Sequence, residues 1–213
     1  RLVFSGLDFA LPPGGALVLV GANGSGKTTL LRLMAGLSRP FAGRLLWGGE
    51  EIRRDPEAHA RRTVWLGHLP GLKPTLSARE NLRFEAALRG LGGAAVEAAM
   101  ERLALRPLAA LPWRALSAGQ RRRVAMARLL LRPPGEAPPL WLLDEPATSL
   151  DAANEARLWG LCRDHLAAGG RLAVASHAAV PLEPQQRLSL DDHAVPPAEA
   201  AWGPGWSPQE PPP

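Results

Sequence analysis

The sequence predicts an α/β fold with a mainly parallel core sheet, antiparallel edge strands at the N-terminus and an inserted helical subdomain. Three observations predict it. Short apolar runs at Ala16 to Val20, Thr63 to Gly67, Leu140 to Leu143 and Leu172 to Ala175 are bounded by turn residues and alternate with amphipathic stretches. A glycine-rich octapeptide, residues 21–28, lies between the first run and a helical pattern. From about Lys73 to Arg132 the pattern is helical throughout, so a helical block interrupts the sheet.

The elements follow in order. Arg1 to Leu11 reads as a hairpin-like pair of edge strands, with Pro12-Pro13-Gly14-Gly15 as the next turn. Ala16 to Val20 has the unbroken apolarity of a strand buried on both faces. Lys27 to Ala35 is a short helix stopped by Gly36. Gly43 to Ile52 is an outer strand with a turn at Gly48-Gly49, and Thr63 to Gly67 is a further core strand. Ser77-Ala78-Arg79-Glu80 matches a capping box and opens a helix to about Arg89, which Gly90, Gly92 and Gly93 end. Val96, Met100 and Leu103 mark one face of a second helix, closed by Pro107. A third runs from near Ser117 to about Leu131, where Pro133-Pro134 stops it. Asp151 to Ala168 is helical and ends at Gly169-Gly170. Residues 1–193 thus read as one domain, with the helical subdomain at about 73–132. Residues 194–213 are rich in Pro, Gly and Ala and read as a disordered tail, with Trp202 and Trp206 as possible anchors.

Composition narrows the function. The 213 residues suffice for one α/β domain with a substantial core. No apolar run approaches the ~20 residues needed to span a bilayer, and Arg1 to Leu11 lacks the apolar stretch of a secretory signal. Cys162 is the single cysteine and sits at helical spacing among Leu158, Leu161 and Leu166. It reads as core, with neither a disulfide framework nor a zinc site. The net charge of +5 comes from arginines spread along the chain, since Lys27 and Lys73 are the only lysines. No basic stripe interleaved with aromatics is present, so nucleic acid is not expected as a partner.

The chemistry begins at Gly21-Ala22-Asn23-Gly24-Ser25-Gly26-Lys27-Thr28, which fits the phosphate loop G-x-x-x-x-G-K-[ST] and continues into Thr29. Its glycines let backbone N–H groups turn inward toward phosphate oxygens, and the helix N-terminus adds its positive dipole end. Lys27 is expected on the β- and γ-phosphates and Thr28 on Mg²⁺. Leu140-Trp141-Leu142-Leu143-Asp144-Glu145 is a buried strand that delivers two carboxylates to its end. Asp144 is the expected Mg²⁺ ligand, usually through water, and Glu145 the residue that orients or deprotonates the attacking water.

Leu116-Ser117-Ala118-Gly119-Gln120 has two readings. Ser-x-x-Gln is a capping box that needs no ligand. It is followed, however, by Arg121-Arg122-Arg123-Val124-Ala125-Met126-Ala127-Arg128. The whole segment resembles the signature motif of ABC ATPases, with Ala118 in place of the first glycine. The resemblance implies the ABC form of the P-loop NTPase fold, and it covers about Arg1 to Leu190. It also implies that Ser117, Ala118, Gly119 and Gln120 meet the γ-phosphate of ATP held by a second copy, giving a homodimer with two composite sites. Thr148-Ser149-Leu150-Asp151 resembles the family's D-loop. His177, after the Leu172 to Ala175 strand, resembles the switch histidine on the γ-phosphate. The family's Q-loop glutamine position falls on His68, a candidate Mg²⁺ ligand, and its adenine-stacking aromatic falls upstream of Arg1.

Leu66-Gly67-His68-Leu69-Pro70-Gly71-Leu72-Lys73, followed by Leu76-Ser77-Ala78-Arg79-Glu80-Asn81-Leu82-Arg83-Phe84, is similar to the cytochrome c maturation (Ccm-type) haem exporter ATP-binding family. This similarity implies ATP and Mg²⁺ as cofactors. It also implies separate membrane-spanning permease subunits and a peripheral position on the cytoplasmic face of the bacterial inner membrane. No histidine of the chain has a haem-ligand pattern, so direct haem binding is not expected. Another ABC exporter, of lipoprotein, lipid or drugs, is the main alternative. A soluble ABC protein acting on nucleic acid or ribosomes is the more distant one.

Overall fold

The computed structural model describes residues 2–69, 71–133, 136, 139–183 and 185–195. Five strands form one parallel sheet: β1 (Ala16–Val20), β4 (Thr63–Leu66), β5 (Leu140–Asp144), β6 (Arg171–Ala175) and β7 (Gln186–Ser189). Their order is β4-β5-β6-β1-β7. In register, β1 places Leu19 beside Ala175 of β6, and β5 places Asp144 beside the same Ala175. Side chains alternate across the sheet as period two demands. Ala16 and Val18 of β1 join one buried cluster with Trp141, Leu143, Leu172 and Val174. Leu17 and Leu19 join the other with Leu140, Leu142, Ala173 and Ala175.

Each cluster has its own cover. Helix α1 (Lys27–Met34) closes the second cluster with Leu30, Leu31 and Met34. Helix α6 (Ala152–Ala167) closes the first with Leu158, Trp159, Leu161 and Cys162, and the cysteine is fully buried. The first cluster runs on without a break into α3 (Ala78–Leu88), α4 (Gly93–Arg102) and α5 (Ala118–Met126) through Leu82, Val96, Met100 and Val124. The expected capping box opens α3. Ser77 Oγ accepts from Glu80 N at 3.2 Å, and Glu80 Oε2 accepts from Ser77 N at 2.7 Å. A 3-10 turn, Ala127–Leu130, extends α5 to the expected length.

Three features differ from the expectation. Among the described residues, 2–11 do not form a hairpin of their own. Phe4 instead makes an antiparallel bridge to Ala194, and Val195 N donates to Val3 O at 3.3 Å. Leu7, Phe9 and Leu11 do alternate inward onto the second cluster, so the extended pattern was real but its pairing partner is distant in sequence. The outer strand at Gly43 to Ile52 is two very short strands, β2 (Leu46–Trp47) and β3 (Glu50–Glu51), turned at Gly48-Gly49 with both glycines at positive φ. Helix α2 (Pro56–Arg61) and strand β7 were not anticipated. Asp55 caps α2 by accepting from Ala58 N at 2.9 Å, with Pro56 at its first position. The tail beyond residue 195, with Trp202 and Trp206, lies outside the described residues.

Candidate active site at the carboxyl edge of the sheet

Parallel strands send their following loops to one edge of the sheet, where open α/β folds place ligands. Here that edge gathers the loop after β1 (residues 21–26), the His68 loop after β4, Asp144 and Glu145 at the end of β5, His177 after β6 and Asp191 after β7. The expected phosphate loop lies between β1 and α1. Gly26 caps α1 at φ +102°, and a Cβ there would lie 2.7 Å from the Phe4 ring, so only glycine fits. Lys27 is buried, and its Nζ donates to Gly21 O at 2.7 Å and Ala22 O at 2.9 Å. An ammonium has three donors, so one remains for a phosphate oxygen. Ser25 Oγ is buried within the loop without a hydrogen-bond partner, as expected of a group built to meet a polar ligand.

Thr28 and Asp144, 116 residues apart, meet directly: Thr28 Oγ1 donates to Asp144 Oδ2 at 2.8 Å. Asp144 is 4% exposed, so its carboxylate is set in the sheet edge beside the loop. Glu145 follows at φ +46°, a left-handed conformation that is costly for a non-glycine residue. Its Oε1 is buried and has no hydrogen-bond partner. His177 is exposed opposite it, with Nε2 3.5 Å from that oxygen. A hydroxyl and a carboxylate in contact, backed by a lysine and a glycine-rich helix start, form an oxygen donor set suited to Mg²⁺ with a polyphosphate.

Other expected residues stand apart from this cluster within the single chain. His68 is exposed, and among the described residues no group of three His, Cys, Asp or Glu side chains is placed to hold a metal. Ser117 caps α5, where its Oγ accepts from Gln120 N at 3.2 Å and Gln120 Oε1 accepts from Ser117 N at 2.9 Å. The capping reading of this motif therefore holds, and it is compatible with a ligand. The cap uses the hydroxyl oxygen as acceptor, and the O–H proton stays free to donate from an exposed helix start. Asp151 caps α6, accepting from Asn154 N at 2.8 Å, and is also exposed.

Two residues of the site escaped the sequence reading. Asp191 accepts from Ala22 N with both oxygens, at 3.1 and 3.0 Å, and so pins the start of the phosphate loop to the strand on its far side. Arg122 is 4% exposed and donates to the carbonyls of Gly67, Asp144, Glu145 and Pro146 at 2.7 to 2.9 Å. Burial is the chief influence on its guanidinium and lowers its pKa to about 10, against the opposing pull of Asp144 and Glu145. No local signal singled out either residue. Asp191 is one of two adjacent aspartates, and Arg122 is the middle of three arginines.

Comparison with known proteins shows the family and the fold. Residues 4–148 match the ABC transporter family. The chain is 51% identical over 201 residues to the cytochrome c biogenesis ATP-binding export protein CcmA of Rhodospirillum rubrum, covering 94% of this chain and 84% of that protein. It is 44% identical over 192 residues to the protein of the same name from Pseudomonas putida, covering 90% of each. In fold it resembles a putative ABC transporter ATP-binding protein from Pyrococcus furiosus (TM-score 0.76, 21% identity, 92% of this chain and 94% of that one). It also resembles an ATP-binding cassette solved as a dimer in a post-hydrolysis state with ADP and Pi (TM-score 0.73, 22% identity, 83% and 80%). By the family match over residues 4–148 and by these relatives, this chain belongs to the ABC transporter family of ATP-binding proteins, in the group of the CcmA cytochrome c biogenesis proteins.

Proposed function

We propose that the chain is the ATP-hydrolysing subunit of a bacterial haem-export complex serving cytochrome c biogenesis, and that it works as a homodimer with two composite sites. The observation that carries this reading is the Thr28–Asp144 hydrogen bond, which joins the phosphate loop to the acidic end of β5. Thr28 and Asp144 would hold Mg²⁺, which supplies charge neutralisation at the β- and γ-phosphates. Lys27 and the loop N–H groups bind the triphosphate and offset its charge. Glu145 orients the attacking water and accepts its proton at Oε1 or Oε2, while His177 steadies that carboxylate and the transferred group. At the start of α5, the exposed Ser117 and the Gly119 N–H grip the nucleotide of the other copy through a hydroxyl proton and a helix N-terminus. ATP favours the closed pair because only that pair contacts it from both sides.

The membrane link belongs to the same reading. Among the described residues no helix is long and apolar enough to cross a membrane. The segment after His68 is tied to the helical subdomain, since Lys73 N donates to Asn81 Oδ1 at 2.7 Å and Asn81 Nδ2 donates back to Lys73 O at 3.1 Å. Leu69, 79% exposed, and Phe84, 41% exposed, leave apolar surface there for a separate membrane-spanning subunit on the cytoplasmic side of the inner membrane. Two measurements test the function. Lys27→Ala should abolish Mg²⁺-dependent ATP turnover by the purified chain. Purification from native membranes should recover haem-handling membrane subunits of cytochrome c maturation, and recovery with an unrelated permease would remove the haem assignment while keeping the ATPase.

A further inference from the structure

Of the three consecutive arginines 121–123, only Arg122 is buried. It lies three residues after Gly119, so the two share one face of α5. That face is docked at two points. At Gly119 the helix touches the loop after β5 so closely that a Cβ would lie 2.7 Å from Ser149 O. At Arg122 a single guanidinium reaches two segments: Nη1 to Gly67 O at 2.7 Å after β4, and, after β5, Nε to Pro146 O at 2.9 Å and Nη2 to Asp144 O at 2.9 Å and Glu145 O at 2.7 Å.

The Glu145 peptide needs such a clamp. Its φ of +46° is unfavourable for a residue with a Cβ, and it is held from both sides. Glu145 N donates to Ala175 O at 2.9 Å, which ties it to β6, and its carbonyl is held by Arg122. The direction of the Glu145 carboxylate follows from that backbone conformation. A planar fork of five donors can serve four carbonyls at once, whereas a lysine ammonium is a point charge on a flexible stem. Burying a guanidinium is costly, and filling this space with an apolar side chain would have been the simpler packing solution. The retained charge therefore has a task beyond packing.

We infer that Arg122 is a positioning residue for hydrolysis, which holds the Glu145 backbone in its productive conformation and makes the signature helix, the Gly67 end of β4 and the carboxylate end of β5 move as one piece. The inference rests on the proposed ATPase function. In the dimer, the signature helix serves the partner's nucleotide while Glu145 serves its own, so Arg122 connects the two sites within one chain.

The test uses the purified full chain and three variants, Arg122→Met, Arg122→Gln and Arg122→Lys. Affinity for a fluorescent ATP analogue is measured beside steady-state Mg²⁺-dependent ATP turnover. Arg122→Met should lower kcat by at least about 30-fold, as expected of a mispositioned catalytic group, and leave nucleotide affinity within about threefold. Arg122→Gln and Arg122→Lys, which reach only some of the carbonyls, should fall between it and wild type. Turnover of Arg122→Met within threefold of wild type overturns the inference, as does a loss of affinity that matches the loss of turnover. If Arg122→Met does not fold, Arg122→Lys decides, because wild-type turnover there means the four-carbonyl fork is dispensable. Failure of the underlying function looks different: the wild-type chain itself would turn over no more ATP than Lys27→Ala.

Discussion

His177 Nε2 lies 3.5 Å from Glu145 Oε1, while the His177 backbone N–H points at Oε2 of the same carboxylate, also at 3.5 Å. Both contacts are at the outer limit of hydrogen bonding, so they hold the carboxylate only loosely. They arise because Asp144 and Ala175 are paired in the sheet, which brings Glu145 and His177, one and two residues further on, to the same edge. The result is a carboxylate oxygen that is buried, without a hydrogen-bond partner and beside an imidazole, which is the arrangement a water-activating group requires.

Glu145→Gln should therefore keep ATP binding and reduce turnover at least about 100-fold, since the amide can orient water but cannot take its proton. The trapped ATP should accumulate a dimer, visible as a shift in light scattering after size exclusion with MgATP. A variant that stays monomeric at saturating MgATP would contradict the two-copy site. His177→Ala should also lower kcat, by about tenfold or more, because the carboxylate loses its neighbour while Lys27 and Thr28 still bind nucleotide.

The two middle positions of the signature should respond differently to the same atom. Ala118 is exposed, so its methyl meets no constraint within the chain. A Cβ at 119 would lie 2.7 Å from the Ser149 backbone oxygen, and neither backbone can yield cheaply. Gly119→Ala should displace the start of α5, lowering turnover about tenfold or more and weakening the ATP-dependent dimer, while ATP affinity of the monomer is unchanged. Ala118→Gly should stay within about threefold of wild type. Equal effects at the two positions would show that the Ser149 contact does not set the helix start.

Much of this site was legible in the sequence because its pieces obey local rules. The phosphate loop is written in consecutive residues, and capping boxes at Ser77 and Ser117 announce helix starts from four-residue patterns. Strands buried on both faces appear as unbroken apolar runs, as β1 and β5 do. What escaped was set by distant partners. Phe4 pairs with Ala194, and Asp191 reaches Ala22 across 169 positions. Strand β7 has only Leu188 buried, so its sequence carries too little apolar signal to be read as a core strand. Arg122 was hidden in an arginine run whose solvated appearance is the ordinary reading. Only its position relative to Gly119 and the ends of β4 and β5 distinguishes it.

The Thr28–Asp144 contact predicts a metal phenotype separable from nucleotide binding. Thr28→Val preserves shape but removes the donor, leaving Asp144 without the 2.8 Å hydrogen bond it receives. The Mg²⁺ concentration needed for half-maximal turnover should rise at least about tenfold, with metal-free nucleotide affinity little changed. Stability should fall by about 1–3 kcal/mol, the usual penalty for stranding a buried polar group, read as a lower urea midpoint. Chelation of Mg²⁺ should abolish turnover in the wild type. An unchanged Mg²⁺ requirement in Thr28→Val would exclude the threonine from the metal site.

Stability should also depend on pH through a histidine remote from the chemistry. His165 lies flat on Trp141, ring centroids 3.8 Å apart and planes within 3°, and its Nε2 is 3.2 Å from Arg171 O. Burial pushes its pKa down from 6.5 to about 4, outweighing the hydrogen bonds that favour the charged form. The folded protein therefore holds a neutral ring where the unfolded chain would already be protonated. The stabilisation is complete above pH 6.5 and is lost as pH falls from 6.5 toward 4, with a slope of up to about 1.4 kcal/mol per pH unit in that window. His59, also buried and shifted down by burial, adds to the same trend. His165→Phe keeps an aromatic face against Trp141 and removes the titration. Between pH 7 and 4.5 the wild-type urea midpoint should fall relative to that of the variant as the pH drops, because carboxylate titrations are common to both and cancel. Parallel curves would mean that the His165 ring takes up its proton in the folded state as readily as in the unfolded one, and that the Trp141 stack does not depend on a neutral imidazole.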